Sequence, residues 1–217
     1  MPLQLRPALP SDTEACGVIT EHAFSTNVLI NHISGGTTTS VDAKQFNIHF
    51  WTQVIASSFQ DANCHLDIVE DISLSPPIVV GLAKWVFVPE NSPLPGLVPL
   101  EMELSKEVMQ NMTDPELGVT FFGDQHARHE KYMGSKSHCY LALIATRPDY
   151  RGFGAGRMLM ESGVQKVDEE GYKAYLEASP EGKPLFEKFG FRVEQVAEYL
   201  DGRYLECSMI RDTKKTE

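Results

Sequence analysis

Arg151-Gly152-Phe153-Gly154-Ala155-Gly156 sets three glycines at alternate positions, after the turn Arg147-Pro148-Asp149 and before the helix-forming run Arg157-Met158-Leu159-Met160-Glu161. Positions without side chains let main-chain N–H groups converge on one concavity. A helix beginning there adds partial positive charge. The chemistry this suits is the holding of a phosphate or pyrophosphate. Two familiar phosphate loops do not fit. A P-loop needs Gly-x-x-x-x-Gly-Lys-Ser/Thr, whereas Arg157-Met158 follows Gly156. A dinucleotide fingerprint needs Gly-x-Gly-x-x-Gly and then an acidic strand end. Here the glycines fall at 152, 154 and 156, and Asp168 to Glu170 closes a helix instead.

Two other groups of reactive residues carry weaker signals. His126-x-x-His129, inside Asp124 to Glu130, has metal-ligand types, but Arg128 lies between the histidines and no third ligand is spaced to suit. No metal is expected, and this stretch reads as a solvated polar face. Cys16, Cys64, Cys139 and Cys207 lack Cys-x-x-Cys spacing, which points to reduced thiols in a cytoplasmic setting.

The elements that must position the loop are readable on either side of it. Residues 139–146 form an apolar run that Pro148 stops, a buried strand with His138 at its start. A helix from about Gly154 to Glu170 follows, capped by Gly171, then a strand over Tyr172–Ala178 and a short helix over Lys183–Phe189 closed by Gly190. This is a parallel crossover unit, so the two strands are expected to be neighbours.

Upstream, residues 3–6 suggest an edge strand. Ser11 with Glu14 forms a capping box for a helix to Phe24, with His22 a partly buried structural residue. Residues 25–41 read as a flexible linker. A helix spans Asp42–Phe59, and Cys64–Val69 and Ile78–Val88 make a hairpin beside the 139–146 strand. Residues 89–137, with an acidic helix at 101–112, read as an insertion covering the site. Two antiparallel strands, about Phe191–Ala197 and Tyr204–Ile210, turn at Asp201-Gly202.

The run Arg151 to Gly156 resembles the Arg/Gln-x-x-Gly-x-Gly/Ala signature of the Gcn5-related N-acetyltransferase (GNAT) family. Leu176-Glu177-Ala178-Ser179 with Leu185-Phe186-Glu187-Lys188-Phe189-Gly190-Phe191 resembles the end of that domain. Together with the Thr-x-Pro-Asp-Tyr-Arg-Gly stretch, these runs most resemble a subgroup that includes puromycin N-acetyltransferase and fungal members. The close match covers about residues 139–195. The resemblance implies an α/β acyl-coenzyme A N-acyltransferase fold over 1–217 as one domain, with a mixed twisted sheet of about six or seven strands flanked by helices.

It further implies acetyl-coenzyme A as acyl donor. Ile144, Ala145 and Thr146 would pair with the pantetheine arm. Arg151, Gly152, Phe153, Gly154, Ala155 and Gly156 would hold the pyrophosphate, with Arg147, Arg151 or Arg157 available to phosphates. The two parallel strands would splay apart to admit the thioester. Phe186 stands where the family often has a tyrosine, so Ser179, another tyrosine or water must protonate the leaving thiolate. Glu177 and His138 are the candidates for the base that deprotonates the amine, with Tyr140 positioning. Phe46, His49, Phe50 and Trp51 are candidates to touch the acceptor.

The formal charge of −11 argues against sequence-independent nucleic-acid binding and favours a cationic acceptor. No uninterrupted apolar stretch is long enough to span a membrane, and neither a leader nor a membrane partner is expected. The resulting expectation is an N-acetyltransferase for a primary amine of a small molecule. A protein lysine or N-terminus is the second acceptor class, a non-catalytic acyl-coenzyme A sensor is the rival, and a homodimer is compatible with all three.

Overall fold

The computed structural model describes residues 2–34, 41–96, 110 and 112–214. Seven strands form one sheet: β1 (Leu3–Pro7), β2 (Cys64–Asp71), β3 (Ile78–Val88), β4 (His138–Thr146), β5 (Lys173–Ala178), β6 (Arg192–Tyr199) and β7 (Tyr204–Arg211). Their spatial order is β1-β2-β3-β4-β5-β7-β6. Every neighbouring pair is antiparallel except β4 and β5, the crossover pair expected from the sequence. Six helices accompany the sheet among the described residues: α1 (Thr13–Phe24), α2 (Val28–Ser34), α3 (Val41–Ser57), α4 (Pro115–Tyr132), α5 (Ala155–Glu170) and α6 (Lys183–Lys188).

The alternation of apolar residues along the strands divides the core between two faces. One face packs Val80, Ala83, Trp85, Cys139, Leu141 and Leu176 beneath Leu159, Met160 and Val167 of α5. The opposite face packs Ile68, Leu82, Leu143 and Ala145 beneath Cys16 and Ile19 of α1 and Ile55 of α3. Gly163 lets α5 lie flush on the sheet, since a Cβ there would sit 2.1 Å from Trp85 Nε1.

Cys139 and Leu141 belong to the first face, Leu143 and Ala145 to the second, so β4 changes sides within one strand. The cause is a bulge. Trp85 pairs with Leu141 and Lys84 with Leu143, leaving Ala142 as the extra residue. A bulge adds local twist and re-aims the strand beyond it, and the divergence of β4 from β5 begins at this point.

Three upstream expectations are corrected. The first helix does not start on a Ser11–Glu14 capping box. A 3-10 turn occupies Pro10–Asp12, Asp12 is the N-cap of α1, and its carboxylate instead accepts from Arg6 at 2.7 and 3.0 Å and from the Leu9 N–H at 2.7 Å. Residues 25–41 are not all linker. Asn27 Oδ1 caps Leu29 N and Ile30 N, both at 3.0 Å, and starts α2, whose Leu29 and Ile33 are buried against Phe121, Tyr199 and Tyr204. The 124–130 stretch is not a solvated face either. It belongs to α4, started by Pro115 and by Asp114 Oδ1 accepting Leu117 N at 3.0 Å, and it buries Arg128 and His129. The acidic helix expected at 101–112 lies largely outside the described residues.

Candidate active site

The β4–β5 ladder stops at Tyr140 opposite Tyr175, although β4 runs on to Thr146 and β5 to Ala178. On its other side β4 stays paired with β3 as far as Thr146. From Leu141 onward, therefore, the β5-facing edge of β4 borders a wedge between the strands rather than a neighbour. The expected splay is present, and its mechanical origin is the bulge at Ala142.

At the mouth of the wedge, a 3-10 turn over Pro148–Tyr150 leads into the glycine loop. Gly152 and Gly154 hold φ of +84° and +99°, a region that a side chain makes strained. Open space lies where each Cβ would be. Gly154 is the N-cap of α5, whose first turn has neither a side-chain cap nor an acidic residue. Its N–H groups and dipole are thus free to meet an anion. Together these features line a groove of about 480 Å³ whose walls include Ile144, Ala145, Thr146, Arg151, Gly152, Gly154, Ala155, Gly156, Arg157 and Ser179.

Two of the residues expected there stand outside that wall. Phe153 is 55% exposed and not part of the lining. Arg147 is paired with Asp149 at 3.0 and 2.7 Å and lies over the Tyr150 ring. Arg151 ties the loop to α1 by donating to the Ala23 carbonyl at 3.1 Å, and Arg157 pairs with Glu161 at 2.7 Å on the helix surface.

A second chamber of about 130 Å³ opens from the groove and shares Phe24, Asn27, Ile144, Ser179, Gly182 and Phe186 with it. Its apolar walls include Ile30, Phe121, Leu141, Leu143 and Leu176. Its polar residues are Gln125, Tyr140, Glu177, Tyr204 and Glu206. Glu177 Oε2 accepts from the Tyr140 hydroxyl at 2.8 Å, while Oε1 is buried without a protein partner. Burial pushes its carboxyl up to about 7, against the hydrogen bond from Tyr140 and the charge of Arg128. Ser179 Oγ accepts the Gly182 N–H at 3.2 Å, which leaves the hydroxyl proton available. Phe186 is buried edge-on to Phe191 at 6.2 Å between ring centroids.

His138, the other candidate base, is not at the chamber. It is fully buried, with Nδ1 2.7 Å from the Lys136 carbonyl and Nε2 2.7 Å from His129 Nε2. Desolvation lowers both imidazoles, and His129 packs against Tyr140 and Tyr175. Phe46, His49, Phe50 and Trp51 line neither cavity among the described residues. His49 is exposed and bonded to Gln53 at 2.7 Å, and Trp51 is buried behind the Phe24 ring, which supplies the wall. Half-buried His22 likewise stands outside both cavities.

The residues that sequence reasoning missed are Asn27, Gln125, Arg128, Tyr204 and Glu206. Asn27 had a readable signal, an amide directly before Val28-Leu29-Ile30. Glu206 had a fainter one, a carboxylate at a core-facing position of an apolar strand. Among the described residues, no cluster of three or more His, Cys, Asp or Glu could hold a metal ion, and no helix is long and apolar enough to cross a membrane.

A wedge between parallel strands, a glycine loop at a helix N-terminus and a seven-stranded mixed sheet together match the GNAT acetyltransferase fold. The acetyltransferase (GNAT) family model matches residues 118–191, from α4 through the glycine loop to Phe191. The match begins inside the stretch read as an insertion, so α4 falls within the family's own segment. The chain is similar in fold to a histone acetyltransferase HPA2 and related acetyltransferase from Corynebacterium glutamicum, with 21% identity, a TM-score of 0.64, and 100% of this chain and 99% of that one covered. It is similar to a mosquito arylalkylamine N-acetyltransferase like 5b, with 16% identity, a TM-score of 0.63 and coverage of 97% and 99%. A third solved structure is the PaiA N-acetyltransferase of Thermoplasma acidophilum in complex with coenzyme A, with 10% identity, a TM-score of 0.55 and coverage of 98% and 99%.

Proposed function

We propose that this chain transfers the acetyl group of acetyl-coenzyme A to the primary amine of a small molecule in the cytoplasm. The observation that carries the reading is the acid-floored chamber opening from the groove, with one Glu177 oxygen lacking a partner. A GNAT acetyltransferase takes acetyl-coenzyme A as donor. The glycine loop suits its pyrophosphate, and the free edge of β4 beyond Tyr140 suits the amides of its pantetheine arm. The chamber is small, largely apolar and acidic at its floor, and the chain is strongly anionic, features that favour a compact cation as acceptor.

In this reading Glu177 takes a proton from the acceptor ammonium, and the freed amine nitrogen attacks the thioester carbonyl carbon. Main-chain N–H groups at the splayed end of β4 receive the negative charge that develops on the carbonyl oxygen. The C–S bond then breaks, and the Ser179 hydroxyl or water gives the sulfur its proton, since Phe186 has none to offer. The amide nitrogen loses its second proton to solvent.

The competing reading is a non-catalytic acyl-coenzyme A sensor, which the phenylalanine at 186 favours. Thiol release followed across a panel of small primary amines, lysine-containing peptides and free-N-terminal peptides separates the possibilities. Highest kcat/KM with small amines supports the proposal. A preference for peptides would move the acceptor to proteins. Turnover at the hydrolysis level with every amine, together with tight acetyl-coenzyme A binding, would establish the sensor.

A further inference from the structure

Two carboxylates line the chamber, Glu177 and Glu206, and Arg128 contacts only the second. Glu206 of β7 is held twice, with Oε1 accepting Gln125 Nε2 at 2.8 Å and Oε2 in contact with Arg128 Nη2. Arg128 is itself fixed from α4, its Nε donating to Ser208 Oγ at 3.0 Å and Nη1 to the Tyr199 hydroxyl at 2.9 Å. Its contact partner is Glu206, while its charge also reaches Glu177. Glu177 lines the same cavity with no cation in contact and one buried oxygen without a hydrogen-bond partner. Two acids around one bound cation in a desolvated space cannot both ionise freely, and the carboxyl of each is raised.

We propose that Glu206, clamped by Arg128, is a positioning residue that keeps Glu177 ready to receive a proton from the acceptor. The proposal rests on the reading of Glu177 as the base. The titratable and charged groups around Glu177 are few. Tyr140 on β4, Tyr175 on β5 and Tyr204 on β7 are neutral hydroxyls whose titration burial drives upward. His129 of α4 and His138 of β4 stand behind Tyr140 and Tyr175, both pushed toward the neutral form by burial. Asp124 of α4 lies beyond Arg128, accepting from Tyr199 at 3.2 Å. Glu206 lines the same chamber as Glu177 and sits two residues along β7 from Ser208, the β-ladder partner of Glu177, and burial together with the charge of Glu177 raises its carboxyl to about 8.

Glu206→Gln keeps an oxygen for Arg128 and removes the charge. Arg128 is then uncompensated, and Glu177 should give up its proton more easily. The test is a titration of the full chain, ¹³C-labelled at glutamate carboxyl carbons, run beside the pH profile of kcat/KM. The Glu177 resonance is assigned by its loss in Glu177→Gln. We expect Glu206→Gln to lower the Glu177 midpoint by roughly one to two pH units and to carry the acidic limb of the profile with it. Arg128→Met should move the midpoint the other way; if it fails to fold, Glu206→Gln decides alone. An unmoved midpoint in folded Glu206→Gln, with only stability or amplitude lowered, would overturn the proposal. An acidic limb that persists in Glu177→Gln would instead sink the base assignment, and the Glu177 resonance would still read whether Glu206 controls it.

Discussion

The two halves of the site are built from different materials. The proposed donor side, from β4 through the glycine loop into α5, is shaped by main chain: a bulge at Ala142, a ladder that ends at Tyr140, and two glycines at positive φ. The acceptor side is shaped by side chains from four separate places, Phe24 and Asn27 near α1 and α2, Phe121 and Gln125 on α4, Glu177 on β5, and Tyr204 and Glu206 on β7. Main-chain geometry tolerates wide sequence change as long as its glycines remain. Side-chain walls change with every substitution. The difference explains how one fold keeps one donor and serves many acceptors.

Breaking the acceptor side at its base should cost most. Glu177→Gln removes the proton acceptor and keeps the shape, so kcat should fall roughly 100- to 1000-fold while acetyl-coenzyme A affinity by calorimetry stays within about twofold. A kcat within a few-fold of the parent would place the base elsewhere. Breaking the donor side should show the reverse pattern. Gly154→Val puts a β-branched residue at φ +99° and costs a few kcal/mol of strain or lost loop geometry, so KM for acetyl-coenzyme A should rise roughly 10- to 100-fold, with the amine KM little changed. A rise confined to the amine KM would contradict the division of labour.

Glu177 also links the site to stability. Its carboxyl is raised from 4.5 to about 7 in the folded chain. A folded-state value above the unfolded one favours folding below the unfolded value, and the benefit is lost as pH rises through the folded value. The carboxylate therefore burdens the fold at pH 8 and not at pH 4. Glu177→Gln should melt higher than the parent at pH 8, by roughly 5 °C, with the gap closing below about pH 4.5. Equal melting temperatures across that window would mean that the carboxylate is not desolvated. His138→Asn serves as the control: it should lower the melting temperature by opening the buried histidine pair, yet leave the acidic limb of the pH profile where it was.

The donor side was legible because its determinants are local in sequence. Glycines, a proline stop and a helix-forming run fall within a short stretch, and backbone-permissive residues advertise backbone roles. The bulge at Ala142 was not legible, since nothing in Leu141-Ala142-Leu143 distinguishes it from continuous strand. Its consequence, the change of face between Leu141 and Leu143, appears only when both faces are packed. The acceptor side was nearly opaque because its parts are far apart in the chain. Arg128 meets Ser208 across 80 positions and Asn27 meets Tyr204 across 177. His138 misled for the same reason. Its residue type suits a base, but the partner that removes it from service, His129, comes from a helix read as a solvated face.

The smallest effect sharpens the comparison within the donor side itself. Arg157 stands on the first turn of α5 and lines the groove beside the glycine loop. Yet it is exposed and shares its charge with Glu161 one turn on, which makes its attraction for an anion weak and screened by salt. Arg157→Ala should raise KM for acetyl-coenzyme A only about two- to fivefold at low ionic strength, and the difference should shrink toward nothing in 0.5 M salt. Gly154→Val should keep its deficit at both salt concentrations, because its loss is one of loop geometry rather than of a surface charge that salt screens. If Arg157→Ala costs more than Gly154→Val, the pyrophosphate is held by surface charge, and the contrast between a main-chain donor side and a side-chain acceptor side collapses.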